Sequence, residues 1–232
     1  MCGIVAYVGH QPAREILLEG LKRLEYRGYD SSGIAIMNSQ PYLRKAVGKV
    51  AALEQRIWND HPEGAVGIAH TRWATHGKPT EPNAHPHLDC AGRIFLVHNG
   101  IIENYQVLKK RLMAAGHTFR SETDTEVLPH LVEEAYQGNL EAAVQKALLQ
   151  VQGTYGIAVM HTAHPQQIIV ARRGSPIILG VGKDESLAAS DVSALAQHTD
   201  QVVYLEDNEV ARLEPGEFSI TTLENRAVNR EA

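Results

Sequence analysis

The feature that most constrains the fold lies at the amino end, where an unbroken apolar run, Gly-Ile-Val-Ala-Tyr-Val at positions 3–8, ends at Gly9. A strand without polar alternation is typical of burial on both faces. Such a strand needs packing partners on both sides of its sheet, which favours a layered fold. Cys2 directly precedes the run, so we expect its thiol at the edge of a core strand.

The rest of the chain mixes helical and strand patterns. Apolar residues recur at helical spacing in five segments, namely 12–26, 50–58, 105–115, 127–135 and 139–151. Further strands are predicted at 33–37, 42–47, 66–72, 93–98, 155–160, 167–171, 177–181, 202–205, 209–213 and 217–222. Short strands joined by Gly, Pro, Asp and Asn turns favour antiparallel pairing, and the sum predicts an α+β fold.

Composition excludes several classes of partner. The 22 basic and 27 acidic side chains give a net charge of −5 without long blocks of like charge, which argues against nucleic acid or a membrane surface as a partner. Two cysteines, Cys2 and Cys90, cannot form a disulfide framework and fit a reducing compartment. A single bridge between them stays an open alternative. With neither an apolar span of about 20 residues nor a secretory signal, a cytoplasmic location is expected.

Cys2 has a chemical property that depends on its position. Removal of Met1 would leave a thiol and a free α-amine on one residue, so nucleophile and base would come from the same amino acid. The α-amine has an ordinary pKa of about 7.7–8.0 and exchanges protons near neutrality. The alternative is a chance Met-Cys start, and a form that keeps Met1 is expected to be inactive.

Polar groups follow two predicted strands. His70-Thr71-Arg72 ends one strand, and Asn99-Gly100 follows His98 at the end of another. Functional side chains are often placed at strand ends, where a rigid sheet orients them. Outside a functional context Asn-Gly would simply be a turn, and the 123–126 segment, Thr-Asp-Thr-Glu, has the pattern of a capping box.

The loop at 73–92 raises the question of a metal site. It is long and rich in proline, which favours a functional or a disordered loop, and it contains His85, His87 and Cys90. Proline between the two histidines and the lack of a second close pair make poor zinc spacing, so no metal is predicted. Phosphate-binding and dinucleotide-binding fingerprints are also missing, and no cofactor is expected.

Five blocks in order resemble one family, the class II, N-terminal-nucleophile glutamine amidotransferases. They are Met1–Val5, Leu24–Ser31, His70–Gly77, His98–Asn104 and Ser121–Glu126. Within the class, the Tyr-Arg-Gly-Tyr-Asp-Ser and Trp-Ala-Thr-His-Gly sequences resemble the glutaminase domains of glutamine:fructose-6-phosphate aminotransferases. Amidophosphoribosyltransferases and asparagine synthetases normally differ there. The resemblance implies a four-layer αββα sandwich of two antiparallel sheets, with a domain over 1–224 and a polar tail or linker over 225–232.

The resemblance also implies roles for individual residues. Cys2 would be the nucleophile, and the Asn99 side-chain amide with the Gly100 backbone N–H would stabilise the oxyanion. Substrate would be bound by five residues: Arg72, Trp73, Thr75, His76 and Asp124. Arg27 would support the nucleophile end, although a purely structural role is as well founded. The alternatives are a surface ion pair for Arg72, helix-terminus stabilisation for Asp124 and simple packing for Trp73.

The function implied is hydrolysis of L-glutamine to glutamate and ammonia. In the full-length family the ammonia passes to an isomerase domain that converts fructose-6-phosphate to glucosamine-6-phosphate. That domain is absent from this sequence, so we expect an isolated glutaminase domain, possibly monomeric where the full-length family is dimeric. Two other classes stay open: an N-terminal-nucleophile peptidase or acylase, and a non-catalytic glutamine-sensing module.

Overall fold

Two antiparallel sheets lie face to face in the computed structural model, which describes residues 2–73 and 77–230. The strands, in chain order, are β1 Gly3–Val8, β2 Ser31–Met37, β3 Tyr42–Val47, β4 Val66–Arg72, β5 His87–Leu88, β6 Ile94–Ile102, β7 Gly153–His161, β8 Ile168–Arg173, β9 Ile178–Gly182, β10 Glu185–Ala189, β11 Val202–Tyr204, β12 Glu209–Glu214, β13 Glu217–Thr222 and β14 Ala227–Val228. The helices are α1 Ala13–Leu24, α2 Val50–Ile57, α3 Tyr105–Ala114, α4 Val127–Ala135 and α5 Leu140–Leu148. Single 3-10 turns occupy Glu25–Arg27 and Val192–Ala194.

Each sheet contains seven strands within the described residues. The first sheet has the order β11-β9-β10-β1-β4-β2-β3, so β1 is central and pairs with β10 and β4. The second has the order β14-β13-β12-β8-β7-β6-β5. All named strand pairs are antiparallel, as the turn-rich sequence predicts.

The side chains of β1 explain why the fold has four layers. Ile4, Ala6 and Val8 belong to a buried cluster shared by the two sheets. Val5 and Tyr7 point the other way and pack with α1 and α2. The predicted burial of this strand on both faces is therefore confirmed. On the far side, α3, α4 and α5 cover the outer face of the second sheet, which completes the predicted αββα sandwich.

Asn99-Gly100 does not end a strand, contrary to the prediction. β6 continues through both residues to Ile102, and Asn99 and Gly100 pair with Gly156 and Tyr155 of β7. Neither is the dipeptide a turn. The apolar residues Ile101 and Ile102 carry the strand onward, while the prediction relied on the local turn preference of Asn-Gly.

One further prediction is wrong. Residues 123–126 form no capping box, because α4 has no side-chain cap and the Glu126 carboxylate instead accepts the backbone N–H groups of Arg120 and Ser121, each at 2.7 Å. Within the predicted tail or linker, β14 pairs with β13 and the Arg230 guanidinium contacts Glu209 at 2.7 Å. The sequence analysis also missed β5, β10 and β14.

The five helices are short, and α1, with 12 residues, is the longest of those described. None of the described helices has both the length and the apolar character needed to cross a bilayer.

The packing of α1 on β1 yields a stability prediction. Leu17 is fully buried between α1 and the first sheet, whereas Leu149 at the end of α5 is 60% exposed. Leu17→Ala should therefore lower the free energy of unfolding by about 2–5 kcal/mol, and Leu149→Ala by less than about 0.5 kcal/mol. Urea unfolding of the two matched variants measures the difference, and equal losses would contradict this packing.

Candidate active site

Cys2 lies at the start of the central strand of the first sheet. The next residue, Gly3, is paired with Thr71 of β4, and the Ile4 N–H donates to the Ser190 hydroxyl at 3.0 Å, which ties the start of β1 to both neighbouring strands. A Cβ atom on Gly3 would come within 2.8 Å of Leu24 Cβ, so only glycine fits between β1 and α1 at this point. The backbone that carries Cys2 is thereby held closely.

The thiol of Cys2 contacts the loop that follows β4. Its Sγ accepts the Trp73 backbone N–H at 3.2 Å. Burial raises the pKa of the Cys2 thiol, while the Trp73 N–H and the nearby Arg72 guanidinium act in the opposite direction. Since the thiolate is the nucleophilic form, a thiol with a raised pKa needs a base to take its proton.

Asn99 connects the second sheet to Cys2 in the first. Its Nδ2 donates to the Cys2 carbonyl oxygen at 3.0 Å. Its Oδ1 accepts a hydrogen bond from His70 Nε2 at 2.9 Å, so the orientation of the amide is fixed from both ends. A side-chain amide carries two N–H donors, and the orientation shown uses one of them on Cys2.

His70 is a candidate functional residue to which the sequence analysis assigned no role. Its Nε2 faces two acceptors, Asn99 Oδ1 and the His98 carbonyl oxygen at 3.1 Å, so this nitrogen carries the proton. Burial lowers the pKa of His70 to about 3, which keeps the ring neutral. The available signal was its position on β4, where it shares the inter-sheet face with Ile68 two residues earlier. A polar residue at a core position needs a partner.

Gly100 has a backbone conformation that favours glycine, with φ of +134°. A Cβ atom there would lie 2.7 Å from the carbonyl carbon of Thr154 on β7. Any side chain would therefore push β6 away from β7 directly beside Asn99.

Arg72 and Asp124 provide a cation and an anion near the thiol. Arg72 is 4% exposed, and its guanidinium donates to the carbonyl oxygens of Gly77 at 3.3 Å and Lys78 at 3.4 Å. Burial lowers the pKa of Arg72, and the neighbouring Cys2 and Asp124 act against that shift. Asp124 accepts the Ile102 backbone N–H at 2.7 Å, which anchors its carboxylate to the end of β6.

Arg27 supports the nucleophile end from outside. Its guanidinium donates to Asp191 at 2.8 Å and to the Ser190 carbonyl oxygen at 3.4 Å, and the Ser190 hydroxyl in turn holds Ile4. Tyr26 also donates to Asp191, at 3.0 Å. These contacts favour the structural reading of Arg27.

Trp73 is 46% exposed and meets the Tyr29 ring edge-on, with 5.7 Å between ring centroids. Gly28 lies against the Arg72–Trp73 peptide, where a Cβ atom would stand 2.8 Å from the Arg72 carbonyl carbon. Thr75 and His76, the other two predicted substrate-binding residues, fall outside the described residues, as does Met1.

The histidines of the long loop do not gather around Cys90. His85 accepts the His98 backbone N–H at 3.1 Å and stacks on His70 at 4.1 Å, and His87 Nε2 lies 3.1 Å from the Thr123 hydroxyl. The Cys90 thiol instead contacts the side chains of His117 at 3.4 Å and His130 at 3.6 Å. Neither histidine was singled out from the sequence.

The contacts bring the described candidates into one cluster. Asn99 touches Cys2 directly, Trp73 touches its thiol, and Arg72 lies close to both Cys2 and Asp124. A thiol, an oriented amide donor, a buried cation and an anchored carboxylate are the groups needed to cleave an amide of a zwitterionic amino acid. The two-sheet sandwich with this thiol at the head of an inner strand is the N-terminal-nucleophile hydrolase fold.

Comparison with known proteins agrees with this class. A glutamine amidotransferase domain family matches residues 51–222. Glutamine–fructose-6-phosphate aminotransferase [isomerizing] from Thermus thermophilus is 53% identical over 233 residues, and the protein of the same name from Bacteroides thetaiotaomicron is 51% identical over 231. These alignments cover 100% and 97% of this chain but only 38% of each relative. The chain belongs to the glutamine amidotransferase domain family.

Solved structures support the same fold. Glutamine phosphoribosylpyrophosphate amidotransferase from Bacillus subtilis matches with a TM-score of 0.84 at 25% identity, covering 96% of this chain and 49% of that one. A structure described as the allosteric regulatory enzyme of purine biosynthesis matches with a TM-score of 0.85 at 26% identity, with the same coverage.

The buried histidines predict acid sensitivity. A histidine in the unfolded chain has a pKa of about 6.5, whereas His70 in the fold has a pKa of about 3. The unfolded chain therefore binds more protons between these values, and the free energy of unfolding falls as the pH drops through this range. For His70, the free energy of unfolding does not depend on pH above about pH 6.5. It falls by up to about 1.4 kcal/mol per pH unit between the two pKa values, and the stabilisation is fully lost below about pH 3.

Urea unfolding at a series of pH values between about 7.5 and 5 measures this dependence. The pKa values of His85, His87 and His98 are lowered by burial in the same way and steepen it. His70→Gln should reduce the slope of the free energy of unfolding against pH by the amount that corresponds to about one fewer proton taken up on unfolding. A free energy of unfolding that stays constant over this range would contradict the burial of neutral histidines.

Proposed function

We propose that this chain hydrolyses the side-chain amide of L-glutamine to give glutamate and ammonia, with Cys2 as the nucleophile. One observation carries the proposal: the Asn99 amide reaches across from the second sheet to the Cys2 carbonyl at 3.0 Å, beside the buried cation Arg72. The family to which the chain belongs gives the substrate class.

The proposed reaction uses the amino end twice. After removal of Met1, the Cys2 α-amine takes the thiol proton, and the thiolate attacks the carboxamide carbon of glutamine. The raised pKa of the thiol makes this transfer necessary. The tetrahedral intermediate collapses as the ammonium group returns the proton to departing ammonia, which leaves a thioester. Water then attacks the thioester, releases glutamate and restores the thiol.

Negative charge develops on the former carbonyl oxygen in both steps. The free N–H of the Asn99 amide and the backbone N–H of Gly100 are the proposed donors to it. Donors held in place before the reaction stabilise such charge without reorganisation. The His70 hydrogen bond to Asn99 Oδ1, at 2.9 Å, supplies that restraint, so we assign His70 as a positioning residue.

Free glutamine carries a carboxylate and an ammonium group on its α-carbon, so its recognition requires a cation and an anion of the protein close together. Arg72 is proposed to bind the α-carboxylate, because a guanidinium can hold a carboxylate through two parallel hydrogen bonds. Asp124 is proposed to bind the α-ammonium group. Trp73, Thr75 and His76 are proposed to contribute further contacts from the loop after β4.

The larger context is also a proposal. The chain spans 38% of the length of the relatives named above, whose name includes fructose-6-phosphate. We infer that residues 1–224 form the glutaminase domain of such an enzyme and that 225–232 begin the connection to an isomerase domain. The ammonia would there convert fructose-6-phosphate to glucosamine-6-phosphate, and dimerisation would belong to the complete protein.

Labelling with an electrophilic glutamine analogue tests the nucleophile and the substrate class together. We expect one adduct on Cys2, none on Cys90, and protection by L-glutamine but not by L-asparagine or a short peptide. Cys2→Ala should keep glutamine binding and lose measurable release of ammonia. Labelling at Cys90, or undiminished turnover in Cys2→Ala, would contradict the proposal. Efficient cleavage of peptides would favour the peptidase alternative.

Asn99→Asp tests the oxyanion role separately from the structural one. The carboxylate keeps an acceptor for His70 but removes the donating NH2 group. We expect kcat for glutamine hydrolysis to fall about 100- to 1000-fold with a smaller change in KM. Steady-state kinetics with ammonia detection gives both constants, and circular dichroism checks the fold. A variant with an unchanged kcat would exclude Asn99 as a donor.

A further inference from the structure

A second cluster of reactive side chains joins three separate segments on the helical side of the second sheet. Cys90 lies in the loop between β5 and β6, and His117 follows the end of α3. His130 and Glu133 are three residues apart on α4 and therefore share one face of that helix. Each residue offers one ligand atom, and the four atoms lie within 4.8 Å of one another.

Four of the six distances among these atoms are close to those between the ligands of a tetrahedral zinc ion. Zinc bonds of about 2.0–2.1 Å to nitrogen or oxygen and about 2.3 Å to sulfur place neighbouring ligand atoms about 3.3–3.6 Å apart. Cys90 Sγ is 3.4 Å from His117 Nδ1 and 3.6 Å from His130 Nδ1. Glu133 Oε2 is 3.1 Å from His117 Nδ1 and 3.4 Å from His130 Nδ1.

The outer nitrogens of both histidines also face carboxylates. His117 Nε2 lies 3.5 Å from Glu134, and His130 Nε2 lies 3.9 Å from Glu126. Within the described chain, His130 Nε2 is a buried nitrogen without a hydrogen-bond partner, and its side chain is 1% exposed. Metal-bound histidines typically direct their second N–H to a carboxylate, and a metal on Nδ1 would place the proton on Nε2 in both rings.

A backbone donor also faces the thiol. The Thr118 backbone N–H points at Cys90 Sγ at 3.5 Å. Glu133 is held in place by the Cys90 backbone N–H at 3.2 Å, so one ligand residue orients another.

We propose that Cys90, His117, His130 and Glu133 bind one Zn²⁺ ion. The mixture of one thiolate, two imidazoles and one carboxylate suits zinc better than Mg²⁺ or Ca²⁺, which prefer oxygen ligands. Four protein ligands leave no open position, so the site is structural rather than catalytic. Binding releases the Cys90 thiol proton to the buffer and links the β5–β6 loop, the end of α3 and α4.

The proposed ion would stabilise α4, which directly follows the segment containing Asp124. Glu126 connects the two, since it faces His130 and also holds the backbone of Arg120 and Ser121. The site shares no residue with the Cys2 cluster. It would therefore act on the proposed glutamine site through the fold and not through the reaction.

Zinc titration of the metal-stripped, tag-free chain tests the proposal. Because an N-terminal cysteine can chelate metal through its thiol and amine, the titration is made in both the parent chain and Cys2→Ser. We expect one Zn²⁺ per chain to survive gel filtration in both, and added Zn²⁺ to raise the thermal unfolding midpoint. Co²⁺ should give the absorption of tetrahedral cobalt with thiolate-to-metal charge transfer. Loss of stoichiometric zinc in Cys2→Ser would overturn the proposal.

Variants identify the ligands. Cys90→Ser should abolish the charge-transfer absorption, and His117→Ala should remove the zinc-dependent rise in the midpoint. The exposed His10→Ala is the matched histidine control and should retain both. If a ligand variant fails to fold, Glu134→Gln still tests the zinc site. Loss of the carboxylate that faces His117 Nε2 should weaken zinc binding about 10- to 100-fold. Unchanged zinc affinity in Cys90→Ser or in Glu134→Gln would refute the site.

Discussion

The hydrogen bond from the Asn99 amide to the Cys2 carbonyl depends on both sheets at once. Cys2 directly precedes β1 of the first sheet and Asn99 lies in β6 of the second, so the 3.0 Å contact exists only while the sheets keep their spacing and register. His70 fixes the other end of the amide from β4. The inter-sheet core formed by residues such as Ile4, Ile68 and Val97 therefore determines the geometry of the candidate site as well as the stability of the fold.

Burial has opposite consequences for the groups of this site. It keeps His70 neutral, which preserves a fixed donor to Asn99, and it raises the pKa of Cys2, which withholds the reactive thiolate. A nucleophile in this environment depends on a local base, and an α-amine on the same residue meets that need without another side chain. Arg72 is the compensating charge, since it lies near both the thiol and Asp124.

Much of the fold could be predicted from local pattern. The apolar run of β1 and the helical spacing of α1 and α5 depend on neighbours in sequence, and all three elements were found. Asn99-Gly100 and the 123–126 segment misled because tertiary pairing overrode their local preferences. The Cys90 cluster joins residues far apart in the chain, as from Cys90 to His130, so no spacing rule indicated it. The partner of His70, Asn99, is also distant in sequence, although the position of His70 on β4 was a signal that it needs a partner.

The central claim is that the thiol of Cys2 becomes covalently attached to the glutamyl group while its own amine handles the proton. Acid quenching during turnover of L-glutamine, followed by peptide mapping with mass spectrometry, tests it most directly. The account predicts a glutamyl thioester on a peptide that begins at Cys2. A glutamyl group on any other residue, or thioester and ammonia formed by chains that still carry Met1, would contradict it.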